Sequence, residues 1–328
     1  MNWRALMIFC MAGSSTALGQ LNDVEDVLND LVVVSQQFVT PAADASVYQS
    51  TASWYSNAST LDLFEVDASI HFNVLPIGGA RKEFNVQNSD FNNLTIRGAN
   101  QAMVPTALGG DTDVFYDFTI DGESYEMKAF EGVKESVILH PYLQASVGLW
   151  KETEVTLRYS PRVKLDQSNY TILGGALKHS ISQYFRNSKS APIEVAALVS
   201  YATFDLNLGF EDFELQATDS NTPPLAVLNG LTVVAQSWLF QGIVSRRFNS
   251  LELQAALGYT NSQVDYLIQG EEGPFLDLFN QALVVLEETR SGIKGDVGVN
   301  YYFGNSYLSS NISVGAFLNT SIAYHYIF

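Results

Sequence analysis

The chain has 328 residues, of which 16% are charged and 12% aromatic, with a formal charge of −18. An ordinary soluble domain carries roughly 25% charged residues, and phosphate binding needs a basic surface, so a water-soluble globule and a nucleic-acid partner are both argued against. No stretch supplies the ~18 apolar residues of a membrane-spanning helix, which leaves a closed β-barrel as the way for such a chain to meet lipid.

At the start, "MNWRALMIFCMAGSSTALGQ" combines Arg4, an apolar run from Ala5 to about Gly13 and small residues at Ala17 and Gly19. It reads as a secretory signal over residues 1–19, which would carry away Cys10, the only cysteine. Residues 20–58 follow as a separate segment. Leu21, Val24, Leu28, Leu31 and Val32 recur near helical spacing, with Asp23, Glu25, Asp26 and Asp30 opposite them. An irregular stretch, "TPAADASVYQSTASWYSNAST", leads on to the first wall strand. The segment is expected either to enter the lumen as a plug or to lie on the periplasmic side.

Residues 59–328 read as an antiparallel up-and-down transmembrane barrel. In "LFEVDASIHFNV", Phe64, Val66, Ala68, Ile70, Phe72 and Val74 share one face, with Glu65, Asp67, Ser69, His71 and Asn73 on the other. That period of two, held for the length of a tilted membrane strand, recurs in "YLQASVGL", "SLELQAALGYT" and "GIKGDVGVNYYF". Residues 192–208 and 229–247 carry apolar side chains on both faces and are assigned as strands from β-branched content and bounding turns. Ten strands are expected, near 61–74, 138–150, 153–163, 169–179, 192–208, 229–247, 250–268, 288–304, 307–315 and 320–328, with 8, 12 or 14 as alternatives. Short connections such as "RRFNSLE" and "YYFGNSY" alternate with long ones at 76–137 and 269–290, as at the periplasmic and outer faces of such barrels. The segment "VFYDFTIDGESYEMKAF" reads as a hairpin around Asp121-Gly122 inside the first outer loop; were it in the wall, the count would be twelve.

Chemical signals are sparse. The four histidines fall in no metal-type cluster, and there is no GxSxG elbow or P-loop, so no catalytic residue, metal or cofactor is expected and the chain is not read as an enzyme. A Ser and a His brought together across strands would be needed for a hydrolase, which spacing alone does not establish. The expected polar lining of the lumen is Glu65, Asp67, His71, Glu154, Arg158 and Arg162. The basic members form either a ladder that steers anions or internal salt bridges that fill a narrow barrel. The acidic loop around Asp111, Asp113, Asp117, Asp121 and Glu123 lacks EF-hand spacing and reads as a solvated outer loop.

The stretches "HPYLQASVGLWKETEVTLRY", "GGALKHSISQYF" and "YYFGNSYLSSNISVGAFLNTSIAYHYIF" resemble a domain-of-unknown-function family of bacterial outer-membrane barrels, distantly similar to the long-chain fatty-acid transporters. The resemblance implies a bacterial outer-membrane location, contact with outer-membrane lipid, and residues 20–58 acting as a hatch. It also implies that Ile322, Tyr324, Tyr326 and Phe328 form the C-terminal signal read by the barrel-assembly machinery. The expected activity is passive passage of a small hydrophobic or amphipathic compound gated by residues 20–58. The alternative is a structural or surface-interaction barrel with a blocked lumen.

Overall fold

The computed structural model describes residues 16–120, 122–134, 136–165, 168–185, 193–217, 226–284 and 288–328. Most of the expected signal, including Cys10, and Asp121 of the expected hairpin turn lie outside these residues. The elements run α1 (Thr16–Thr51), β1 (Val66–Pro76), β2 (Glu83–Gln87), β3 (Thr95–Ile96), β4 (Gln101–Pro105), β5 (Phe115–Ile120), β6 (Glu123–Lys128), β7 (Val137–Leu149), β8 (Thr153–Leu165) and β9 (Ser168–Ser180). They continue with β10 (Glu194–Ala217), β11 (Ala226–Phe248), β12 (Leu251–Gly270), α2 (Pro274–Leu283), β13 (Glu288–Phe303), β14 (Ser306–Val314) and β15 (Leu318–Ile327).

Ten strands close a ring in the order β11-β12-β13-β14-β15-β1-β7-β8-β9-β10, with β10 pairing back to β11. All neighbours are antiparallel, as the alternation predicts. Closure leaves no free sheet edge around the ring, as a barrel in lipid requires. The hairpin β5–β6 stays out of the ring: among the described residues β6 meets the wall at Gln216 and Ala217, at the far tip of β10. The count is therefore ten and not twelve.

Three turns at the end where β1 begins and β15 stops are tight, at Lys151-Glu152, Asn249 and Gly304, and each of these residues has positive φ; the β9–β10 connection at that end, residues 181–193, is longer. At the other end β14 and β15 are joined by residues 315–317 alone, but the β1–β7 and β12–β13 connections are long and structured. They hold the β2–β4 hairpin, the β3-β5-β6 extension and α2.

Two zones with opposite patterning share the same strands. Toward the short-turn end the outward side chains are apolar, including Ile70, Phe72, Leu143, Leu157, Leu173, Leu257, Ile293, Val297 and Ile322, all exposed. Aromatic rings border this belt. Phe64 meets Trp150 edge-on at 5.4 Å on one rim, and Tyr201 meets Trp238 at 4.9 Å on the other. Beyond Trp238 the pattern inverts: Thr232, Gln236 and Gln263 face outward, while Leu231, Val233, Val264 and Ile268 are buried inward. This inversion is why β10 and β11 read as apolar on both faces. At 24 and 23 residues they are long enough to cross a bilayer and then wall a water-facing module.

That module has an ordinary apolar core. Val27, Leu31, Val34 and Phe38 of α1 join Leu94, Ile96, Tyr116 and Phe130 of the first long loop, the inverted strand faces, and Phe275 and Phe279 of α2. Helix α1 does not stop before Pro41, where the sequence suggests an irregular stretch, but continues to Thr51 with Pro41 inside it. An interior proline costs roughly 3 kcal/mol; burial of Ala42, Ala43, Ala45, Val47 and Tyr48 just beyond it offsets that cost. At 36 residues and 1.5 Å per residue the helix is long enough to reach from the module into the barrel.

The two zones make opposite demands on one outward face. Leu257→Arg, in the middle of the belt, should cost ~2–4 kcal/mol in denaturant unfolding from lipid vesicles. Gln263→Arg, six positions on along the same face, should change stability by less than about 1 kcal/mol.

Candidate functional site

A helix that ends inside a barrel leaves its last carbonyls without partners and its dipole negative end unscreened. Here α1 ends at Thr51 in the lumen, and two basic side chains of the wall meet it there. Arg158 of β8 donates to the carbonyls of Ser53 at 2.8 Å and Ser50 at 3.5 Å, and to Oε1 of Gln144 at 3.1 Å. Its guanidinium lies 3.9 Å from the Trp54 ring centre and 4.2 Å from that of Tyr142, held by π-systems as well as by carbonyls. Lys294 of β13 donates to the Thr51 carbonyl at 2.9 Å and lies 3.4 Å from Asp296. Both cations are 1% exposed. No carboxylate pairs with Arg158 among the described residues, so carbonyl dipoles and ring faces stand in for a counter-charge.

Neutral contacts tighten the same level. Ser50 Oγ donates to Ser237 at 3.0 Å, and Ser262 joins the chain at 2.9 Å. Gln49 Oε1 accepts from Asn73 at 3.3 Å and from Asn319 at 3.2 Å. The Trp54 indole donates to the Ser50 carbonyl at 2.9 Å. Gly174 makes room for that ring, because a Cβ there would lie 2.9 Å from Trp54 and 2.7 Å from the Tyr201 carbonyl.

The helix is also fixed outside the barrel. Asp30, 1% exposed, accepts the backbone N–H groups of Asn92, Asn93 and Leu94 at 2.7–3.0 Å. Asp44 pairs with Arg290, and with Arg81 at 3.5 Å. Below Trp54 the chain runs down the lumen to β1. The Ala58 N–H donates to Ser245 at 3.0 Å, and Asn300 donates to the Ser56 carbonyl at 2.7 Å. A cavity of about 250 Å³ remains at the short-turn end, bordered by Glu65, Asp67, Glu154, Lys178, Glu252 and His325.

The residues expected to line the lumen divide as follows. Asp67, His71, Glu154 and Arg158 are buried on the inner wall, and Glu65, just before β1, borders the cavity. Arg162 is exposed and does not line the lumen: the β8–β9 ladder shifts register between Ser160 and Val163, which costs Pro161 and Arg162 their parity. His71 is hydrogen-bonded to Ser69 at 2.8 Å and stacks on Tyr142, so it pairs with neither Glu65 nor Asp67. Glu154 pairs with Lys178 at 3.0 Å. Ile322, Tyr324, Tyr326 and Phe328 all point outward from the barrel and are exposed.

Lys294, Asp296 and Gln241 are not among the expected lining residues, although their inward parity is a usable signal. The Gln241 amide donates to Asp296, completing a buried set around Lys294. In the outer loop, Asp117 pairs with Arg97, and Lys134 hydrogen-bonds Asp111, holding that carboxyl below its ordinary range. No group of three or more metal-ligating side chains occurs among the described residues.

A family described as a family of unknown function, DUF6588, matches residues 2–328. No curated protein matches the sequence. Among solved structures, the chain is similar to the translocator domain of the autotransporter NalP from Neisseria meningitidis at 10% identity and a TM-score of 0.39, covering 88% of this chain and 97% of that one. It is also similar to the COG4313 outer-membrane channel from Pseudomonas putida F1 (10% identity, TM-score 0.38, covering 84% and 99%). The outer-membrane channel DcaP of Acinetobacter baumannii aligns at 9% identity and a TM-score of 0.23, covering 84% and 100%. At these scores the likenesses carry no function.

Arg158→Met keeps the stem but removes every donor, orphaning buried carbonyls at about 1–3 kcal/mol each. Hydrogen exchange of the folded barrel should then speed up selectively at residues 50–56, with the wall strands unchanged.

Proposed function

The chain belongs to the family of unknown function DUF6588, and on that premise we propose that it is an outer-membrane barrel held shut by its own N-terminal helix, a structural and surface-presenting protein and not an open pore. The observation that carries this reading is the end of α1, capped inside the lumen by Arg158 and Lys294. A solute path along the axis would have to uncover two buried cations. It would also have to break the apolar core in which Val27, Leu31, Val34 and Phe38 hold the other half of the helix.

The belt supports an outer-membrane location. An exposed apolar band with aromatic rims around a closed ring suits a bilayer, and the termini would then lie on the periplasmic side with the module outside. Outer-membrane lipid is the partner of the belt, and the barrel-assembly machinery would read Ile322, Tyr324, Tyr326 and Phe328. Residues 1–19 would serve as the export signal.

A second reading keeps the barrel as a gated passage for small hydrophobic or amphipathic compounds. The polar inner wall favours it: Asp67, Ser69, Gln144, Thr156, Gln254 and Asn300 would hydrate readily if residues 20–58 moved aside.

Planar-bilayer recording separates the two. The intact chain should give no discrete current steps at either polarity, and its presence in vesicles should not speed entry of a small amphipathic dye. Steady conductance, or accelerated dye entry, would favour the gated passage and end the closed-barrel reading.

A further inference from the structure

One cluster of reactive side chains has no part in closing the barrel. His325 of β15 is buried, and its Nδ1 lies 3.1 Å from Oδ2 and 3.2 Å from Oδ1 of Asp67 on β1. Its other nitrogen, Nε2, lies 3.0 Å from the Oγ of Ser309 on β14. A carboxylate can only accept, so Nδ1 carries the hydrogen; in the neutral imidazole Nε2 is then the acceptor, and the Ser309 hydroxyl donates to it. Tyr307 donates to Asp67 and stacks on the imidazole with ring centres 4.1 Å apart, which fixes both groups.

Three strands adjacent in the ring thus bring together a hydroxyl, a base and an orienting carboxylate, in the arrangement that activates a serine for acyl transfer. Ala323 faces Ser309 across the β14–β15 ladder and faces His71 across the β15–β1 ladder, so no bulky neighbour on β15 covers the hydroxyl. The 250 Å³ cavity borders Asp67, Tyr307 and His325, the base side of the group, and half-buried Ser309 lies just outside its lining. Two positions along the inner face of β14 from Ser309, buried Asn311 faces the Tyr55 hydroxyl without satisfying hydrogen-bond geometry, and its Nδ2 has no partner among the described residues. Its amide is the donor that this face of β14 can offer to an oxyanion formed at Ser309.

We infer that Ser309, His325 and Asp67 form the nucleophile, base and positioning residue of a hydrolytic site for small carboxylic esters, reached from the short-turn end of the barrel, with Asn311 as an oxyanion donor. The Ser309 Oγ bonds to the acyl carbon as its proton passes to His325 Nε2, and Asn311 Nδ2 donates to the carbonyl oxygen. The ester C–O bond then breaks, and the leaving alcohol takes the proton from Nε2. Water repeats the sequence: its oxygen bonds to the acyl carbon, its proton moves to Nε2 and on to the departing Ser309 oxygen, and the free acid is released. No further co-reactant is needed. Conduction through the lumen is not needed, because the cavity is present with α1 in place and Trp54 borders it.

The test uses the intact chain in detergent, its fold verified by the gel shift between unheated and heated samples. A short alkyl fluorophosphonate should label Ser309, as mapped by peptide mass spectrometry, and heat-unfolded protein should not react. Ser309→Ala should abolish the label and the hydrolysis of p-nitrophenyl acetate. His325→Gln should slow labelling by about 10²–10⁴-fold. Asn311→Ala should lower kcat by about 10²–10³-fold. Asp67→Asn should lower kcat with KM unchanged, a split that general loosening of the wall would not produce. Should Ser309→Ala fail to give a gel-shifted barrel, the labelling map of the unaltered chain decides alone. A folded barrel left unlabelled at Ser309, or labelled there without turning over the ester, would overturn the inference.

Discussion

A helix that stops halfway along a barrel must satisfy its terminal carbonyls where water is scarce, and much else in this molecule follows from that requirement. Arg158 and Lys294 provide the donors, and each is 1% exposed. Burying a cation is costly unless dipoles or counter-charges replace its water. The helix terminus and the two cations therefore stabilise one another, and neither is favourable alone. Gly174 is part of the same arrangement, since the ring of Trp54 reaches Arg158 only because that wall position lacks a Cβ.

The upper half of α1 faces a different solvent problem. Around the belt, water is inside or replaced by polar side chains, and lipid-type surface is outside. Beyond the Tyr201–Trp238 rim the apolar side chains turn inward and the strands enclose a core of the ordinary kind. Asp30, receiving three successive backbone N–H groups of the first long loop, joins the helix to that core. One continuous helix links the two zones, so movement of its lower end is resisted by packing above the rim as well as by the cap below it. The belt positions and the water-facing positions beyond the rim differ accordingly in the charge they can accept.

Much of this is legible in the sequence, for a physical reason: strict alternation held over a membrane-length strand suits an apolar surround on one face and a polar interior on the other, and few folds supply both. All ten wall strands fall near their expected positions. The lining is less legible because parity survives only while the ladder is regular; the bulge after Ser160 removes Arg162 from the inner wall. Continuation of α1 past Pro41 is not readable, because propensity there opposes helix and only tertiary burial of Ala42 to Tyr48 reverses it. The apolar character of both faces of β10 and β11 is visible, but its cause, a change of environment partway along one strand, needs the third dimension. Ser309 and His325 are 16 residues apart, and only the register of β14 against β15 brings them into hydrogen-bond range.

The position of α1 inside the ring is the claim on which the rest stands, and a disulfide tests it directly. Ser50 of the helix and Ser237 of the wall have their hydroxyl oxygens 3.0 Å apart, close enough for paired cysteines to bond. In a Cys10→Ser background, Ser50→Cys with Ser237→Cys should cross-link nearly completely under mild oxidation, with the heat-dependent gel shift retained. The wall pair Ser237→Cys with Ser262→Cys, 2.9 Å apart as serines, serves as the control for barrel geometry. If the wall pair cross-links and the helix pair does not, α1 is not in the lumen and the closed-barrel account is contradicted.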